Sequence, residues 1–513
     1  MKKTLYIPLL IAGITLLAGC PNKSGPIIGQ VQSILDDKLT LSLANEVMKD
    51  NQMIELNDKE KAILADSATK FVIEENGKTR DGTIDDLQTG DILSVIVDED
   101  NKTAIKIEQK IDWTAHSKSE GNLKQPSLIG HYVINNKRKE LTGETIRSVD
   151  PDENSILIEN AGALTASNIT VTKSGDTTSE QKSRLYGVNN AIAAYDDSIG
   201  YFEGCSILSE SEGGNALFSS GKDAILRLYD TSILTTGGSA KGLYATNQGA
   251  ISGQNLNITT EGAHSASAVA EGVNSNVTLY DSTLTTAAHN SPCLYSAGIM
   301  KASGVLGLAN ASPAAILKGN STLDISSSDI TGAGDYGIIL HGGGRDLDGE
   351  EIASFSAKNS LLSATQDKAM FYVKETDVVV SISNTELSFE SGILIKAETS
   401  GNIAFKANKQ SLTGDIICDD TSTVSLELRE NSSYKGAIDT GHIGSAIVVL
   451  EKGSSWTLTG DSYLSILSNE QTDCSNIQSN GHTLFYDSEE EENGWLNGDT
   501  HALPGGGKLT PAS

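Results

Sequence analysis

The chain reads as all-β: a parallel β-helix of about a dozen coils fills most of its 513 residues, behind a small antiparallel β-barrel. Three observations lead there. The phrase "LYDTSILTTGG" at 228–238 returns as "LYDSTLTTAAH" at 279–289. The apolar residues that open such phrases, Ile207, Ile233, Ile258 and Leu284, are 25 or 26 residues apart. Finally, no stretch between them carries a convincing 3.6-residue apolar period, which sets helical repeats aside.

The first element is "MKKTLYIPLLIAGITLLAGC" at 1–20. Two lysines, an apolar run too short for a comfortable membrane span and small residues at its end describe a secretory signal. Leu17, Ala18, Gly19 and Cys20 resemble the lipobox of bacterial lipoproteins. That resemblance implies cleavage before Cys20 and a lipid, palmitate included, on its thiol. The expected location is the bacterial cell envelope, lipid-anchored and facing outward, at the outer membrane or the outer face of the cell membrane. Acyl chains hold a protein there at roughly 0.8 kcal/mol per buried methylene.

Residues 26–112 follow another pattern. "IIGQVQSIL" and "KLTLSLA" read as a strand pair, and "TKFVIEENGK", "DILSVIVDEDNK" and "TAIKIEQK" supply further strands. "ANEVMKDNQMIELNDKEKAILAD" has no clean period, so a short helix is expected there. The segment "LQTGDILSVIVDEDNKTAIKI" resembles the compact OB-like modules of bacterial envelope proteins. OB folds often bind nucleic acid, but a formal net charge of −29 argues against that partner and against electrostatic adhesion to anionic lipid. Residues 113–127, "WTAHSKSEGNLKQPS", read as a linker.

From 128 to 513 the repeat governs. Its series runs from Ile169 through Ile207, Ile233, Ile258 and Leu284, passes Leu306, and continues at Ile330, Leu361, Leu387, Leu412, Tyr434 and Trp456. Each period holds three short alternating stretches such as "NALFSS", "AILRLYD" and "SILTT", separated by Gly, Asn, Ser and Asp turns. Three short strands make one coil of a parallel β-helix, whereas a four-stranded propeller blade needs roughly forty residues. Ile233 and its equivalents are expected to form a core ladder, with alternate Ser and Thr facing solvent or the flanking stack. Gly237 and Gly262 suit a tight corner. A dozen coils at roughly 4.8 Å give a rod of about 58 Å. Its open ends need covers; residues 128–160 and Trp495 are the candidates.

This region resembles a family of surface-exposed right-handed parallel β-helix proteins from bacteria, related in shape to autotransporter passengers and pectate lyases. The resemblance is carried by "YGVNNAIAAY" (186–195), "NALFSSG" (215–221), "NSPCLYSAG" (290–298), "AMFYVKETD" (369–377), "QSLTGDIICDDTSTVSLEL" (410–428), "SSWTLTGDSYL" (454–464), "NIQSNGHTLFYD" (476–487) and "LPGGGKLTP" (503–511). It implies an adhesin-like surface protein.

β-helix enzymes act on polysaccharides through clustered carboxylates with a His or a basic residue. The nearest match is Asp419 and Asp420 with His442 of "TGHIG", and these turn positions read more naturally as solvated. In the insertion "HGGGRDLDGEEIA", Asp346, Asp348 and Glu350 alternate as calcium ligands do, without the full twelve-residue loop. Cys205, Cys293, Cys418 and Cys474 stand singly and read as buried free thiols. Ice-binding arrays alternate Thr-x-Thr with a strict coil length, unlike the adjacent Thr pairs here. The expected function is a lipid-anchored, adhesin-like binding rod without catalysis or cofactor. Its partners are the membrane, through its lipid, and glycans or surface proteins; the alternative is a polysaccharide lyase or hydrolase.

Overall fold

The computed structural model describes residues 26–512, apart from 36–37, 49–52, 76–77, 85–86, 88–90, 99–101, 111–113, 118–125, 343–351 and 367. The chain divides into two compact units, Met1–Gln125 and Pro126–Ser513. Leu17, Ala18, Gly19 and Cys20 lie outside the described residues, as do Asp346, Asp348 and Glu350.

The first unit is an eight-stranded, mainly antiparallel sheet with Lys78–Gly82 at one edge and Thr114–Ser117 at the other. Within it the strand Met53–Leu64 returns to the start of Ala104–Lys110: Leu64 bridges Thr103, and its N–H donates to the Lys102 carbonyl (2.8 Å). The stretch expected to hold a helix is a hairpin of Lys38–Met48 and Met53–Leu64. Its register slips twice, between Ser42 and Ala44 and between Ala44 and Glu46. The first slip sets two residues against four and the second two against one, so the alternation is broken and the sequence shows no steady period of two. Thr114–Ser117, inside the expected linker, pairs in parallel with Met53–Leu56.

The second unit is a parallel β-solenoid of about 15 turns, more than the dozen the repeat suggested. On the same spacing its length is about 72 Å. The missed turns lie at the ends, on Ile146 and Ile477, where no Thr-rich phrase marks the strand. Each coil has three faces. The first begins with Gly130–Asn135, the second with Arg138–Thr142 and the third with Thr145–Ser148, and later strands stack on these in parallel.

The third face holds the ladder of the repeat: Val171, two residues beyond the expected Ile169, then Ile207, Ile233, Ile258 and Leu284 are successive partners. The next rung is Gly307, with Leu306 beside it pointing out and 57% exposed. A Cβ on Gly307 would come within 2.8 Å of Ile330, whose side chain fills the gap. The rung after Ile330 is Leu362, one residue beyond the expected Leu361, followed by Leu387. Leu412, Tyr434, Trp456 and Ile477 continue the series in a separate short sheet.

The Thr pair is divided between the two sides. In "SILTT" Ile233 and Thr235 point inward and Leu234 outward, so the first threonine is core; in "NITT" the buried one is the second, Thr260. The buried hydroxyl closes the corner by donating to a carbonyl five residues on: Thr235 to Ala240 (2.8 Å), Thr260 to Ser265 (2.5 Å), and likewise Thr286 to Ser291. Gly237 and Gly262 follow because a Cβ would strike the coil below, 2.1 Å from the Ser211 carbonyl oxygen and 2.0 Å from that of Gly237. Neither needs a left-handed backbone. Between the second and third faces the left-handed corner falls to Asn168, Asp230, Asn255, Asp281 and Asn359, residues that tolerate it.

The C-terminal end is sealed by a short 3-10 turn, Glu491–Leu496. Asn493 accepts from the Leu467 N–H (2.9 Å) and donates to Ser465 (2.7 Å), and the Trp495 indole donates to the Leu467 carbonyl (3.0 Å). The last strand of the second face is thereby denied to another chain.

Thr260→Val removes a buried donor and leaves the Ser265 carbonyl unpaired; the expected loss is about 1–3 kcal/mol in denaturant unfolding. Thr259→Val, on the outward side of the same strand, should change stability by less than about 0.5 kcal/mol.

Lys173 occupies the clamp position two coils before Thr235, fully buried, its ammonium donating to Asp150 O (2.9 Å) and Gly175 O (2.5 Å). Burial pushes its pKa down to about 8, against the pull of Glu153. The cost of the buried charge is thus complete below pH 8 and disappears as pH rises to the unfolded value near 10.5. Compared with Lys173→Met, the wild type should gain on the order of 2 kcal/mol between pH 7.5 and 10.5. Parallel stability curves for the two proteins would refute this.

Candidate functional site

The sequence candidates separate. Asp419 accepts the Thr399 N–H (2.6 Å), the Thr421 N–H (3.1 Å) and the Thr421 hydroxyl (2.9 Å). Despite some burial, these hydrogen bonds hold its carboxyl below the usual range, so it is a turn clamp tying two coils. Asp420 beside it is exposed. His442 lies at a left-handed corner, its ring stacked on Tyr463 at 4.4 Å, and Tyr463 stacks in turn on Phe485. No hydrogen bond or ion pair among the described residues joins His442 to either aspartate, and no group of three metal-ligating side chains occurs among those residues. The insertion with Asp346, Asp348 and Glu350 joins Tyr336–His341 on the first face to Ala353–Lys358 on the second. All four cysteines named above are buried and free. Burial pushes the thiols of Cys293 and Cys418 up to about 12, which leaves them inert.

A cluster that sequence reasoning missed sits on the outward side of the first face. Val171 and Ile207 are ladder partners 36 residues apart, whereas Ile207 and Ile233 are 26 apart. The surplus forms a helix, Glu180–Tyr186, started by a Ser179 side chain accepting from Lys182 N and ended by Gly187 at φ 58°. Gly187 is required there twice over, since a Cβ would also lie 2.3 Å from the Phe218 ring. The segment is held by Tyr195, whose hydroxyl donates to Tyr186 O (2.7 Å) and Gly187 O (2.8 Å), and by Ser183 donating to Gly213 O.

Beneath and beside it runs an outward column: Phe218, Tyr244, Val269 and Tyr295 are successive partners. Phe218 and Tyr244 meet edge to face at 5.3 Å and are fully covered, while Tyr295 keeps part of its surface exposed. Around the Tyr244 and Tyr295 phenols the polar groups converge. Arg184 of the helix pairs with Glu271 at 3.0 Å, and Glu271 also accepts the Tyr244 hydroxyl. Lys241 Nζ donates to Ser239 O (3.0 Å) and stands 5.7 Å from the Tyr244 ring centre. An asparagine ladder sets this lysine's backbone: Asn190 donates to Asn154 (2.9 Å), Asn215 to Asn190 (2.8 Å), and Lys241 N to Asn215 (3.0 Å).

The electrostatics follow from crowding. Burial pushes Lys241 down to about 8, partly opposed by Glu271. Burial, then Glu271, holds the Tyr244 and Tyr295 phenols above their usual value. His264 edges against His289 at 5.9 Å; burial first, then His289 and Lys241, lower it to about 4 and leave a neutral ring. The signal available in sequence was aromatic phase: "ALFSS", "LYATN" and "CLYSA" place Phe218, Tyr244 and Tyr295 at one register position.

Asp419→Ala should lower stability by about 1 kcal/mol through its lost turn bonds, and Asp420→Ala should leave the melting curve where it is. The reverse order in thermal unfolding would reinstate Asp420 as a constrained group. No protein-family model matches the chain, and a search of curated proteins finds no match.

Proposed function

We propose that the protein is a lipid-anchored, cell-surface binding rod, adhesin-like, that holds glycans or surface proteins without turning them over. The lipobox-like Leu17-Ala18-Gly19-Cys20 supports the anchor, with Cys20 as the acylated residue. The observation that carries the binding role is the polar and aromatic cluster around Tyr244 and Tyr295. It combines a fixed ring platform with a few convergent hydrogen-bonding groups, the usual make-up of a recognition site. In that cluster Arg184 is held by Glu271, so it does not stand ready to take up the carboxylate of an acidic sugar during proton abstraction. Nucleic acid is not a partner for so acidic a chain, and no cofactor is required.

A second reading, a polysaccharide lyase, is favoured by one feature. Lys241, pushed down to about 8, has a base strength suited to removing a proton near neutral pH. The two readings part on turnover. The Cys20→Ser protein, which keeps every described residue, is incubated with neutral and acidic polysaccharides, with and without calcium. Binding without turnover predicts retained polymer of unchanged length and no unsaturated product. Chain shortening abolished by Lys241→Ala would replace the rod by the lyase. In a bacterial host, the same Cys20→Ser change should move the protein from the membrane pellet to the soluble fraction.

A further inference from the structure

We infer that the partly open Tyr295 ledge beside the helix Glu180–Tyr186 is a subsite for a neutral hexose unit of a glycan, gripped by Glu271, Lys241 and His264. This rests on the binding-rod reading and gives its ligand a chemical class. The Tyr295 ring keeps part of its aromatic surface open on a rigid parallel stack, and the C–H face of a pyranose packs on such a ring.

The polar groups around it have unused capacity. The Tyr295 hydroxyl and the His264 ring make no side-chain hydrogen bond among the described residues. Glu271 accepts from Arg184 and Tyr244, two of about four acceptor positions on a carboxylate. Lys241 uses one of three ammonium donors, on Ser239 O. A neutral imidazole adds a donor and an acceptor on one ring. The site therefore presents donors and acceptors in mixture, as a ligand dense in hydroxyls requires.

Charge selects among such ligands. Two cations, Arg184 and Lys241, are matched by two anions, Glu271 and Glu180, the latter accepting from Ser239 (3.2 Å). An anionic sugar finds no net attraction in the cluster and is repelled by a chain of formal charge −29. A cationic sugar likewise finds no net attraction in the balanced cluster and gives up charge hydration on entering it, a cost that a neutral hexose does not meet. The rigid setting helps, because Glu271 is already fixed by Arg184 and Tyr244, so little side-chain freedom is lost on binding.

The test measures affinity of the Cys20→Ser protein for gluco-, manno- and galacto-oligosaccharides and for oligogalacturonate, by glycan array and then titration calorimetry. The expected result is binding of a neutral oligosaccharide that weakens at least tenfold in Tyr295→Ala and several-fold in Glu271→Gln and Tyr295→Phe. The last two keep the volume of the side chain, and their unfolding curves must match the parent's. Tyr463→Ala, on the distant ring stack, should leave affinity unchanged. Neutral binding indifferent to all three site variants would overturn the subsite while leaving the binding rod in place. Selection of oligogalacturonate alone would overturn the neutral class. Absence of binding to every glycan by folded protein would remove the subsite together with the glycan half of the functional reading.

Discussion

Everything in the solenoid depends on coil-to-coil register, and the corners enforce it with buried side-chain hydrogen bonds. A parallel ladder alone tolerates slippage wherever successive strands look alike, as "SILT" and "NITT" do. The corners do not. Thr231 accepts from Cys205 N (3.4 Å), Ser282 from Leu256 N (3.1 Å) and Ser328 from Val305 N (3.0 Å), each reaching one coil back. At another corner Ser265 accepts from Ala240 N (2.9 Å) and Ser291 from Ser265 N (2.9 Å). A shifted coil would bury each of these groups without a partner, and every such group costs about 1–3 kcal/mol. Apolar ladders supply the bulk of the burial; the hydroxyls and amides decide which residue sits above which.

The same constraint explains where function can be written. Inward positions are committed to the core and corners to register, so only outward positions and insertions vary freely. The chain uses both in one place. Its extra residues before Ile192 make a helix that roofs one outward column, and the asparagine ladder that secures the corner ends at Lys241. A structural device thus delivers a charged side chain to a defined point on the surface, which a loop alone would not do.

Much of the solenoid was legible because its repeat is dense in phrases. Ile207 through Leu284, and Leu412 through Trp456, stand as the period places them. The rest failed for local physical reasons. Leu306 and Leu361 were one residue off because a glycine rung and a phase change at Leu362 put apolar side chains on the outside. Alternate Ser and Thr were expected to face solvent or the flanking stack, since a hydroxyl suggests water; the carbonyl partner of Thr235, five residues away, is invisible until the corner is folded. The hairpin in the first unit was hidden by its two register slips. Of the site, Tyr244, Glu271 and Arg184 meet only after helix and coils are stacked, 87 residues separating Arg184 from Glu271. No spacing rule reaches so far.

The seal at Glu491–Leu496 has a consequence for how such a rod comes apart. Interstrand hydrogen bonds in a parallel solenoid point along its axis, so a pull or a protease at a free end can strip one coil at a time, breaking only a few bonds per step. With Asn493 and Trp495 fastened to the strand Ile466–Asn469, peeling from that end must first break the lock in a single larger event. Loss of the last coil is therefore one cooperative event, in which the turn and the strand it grips let go together.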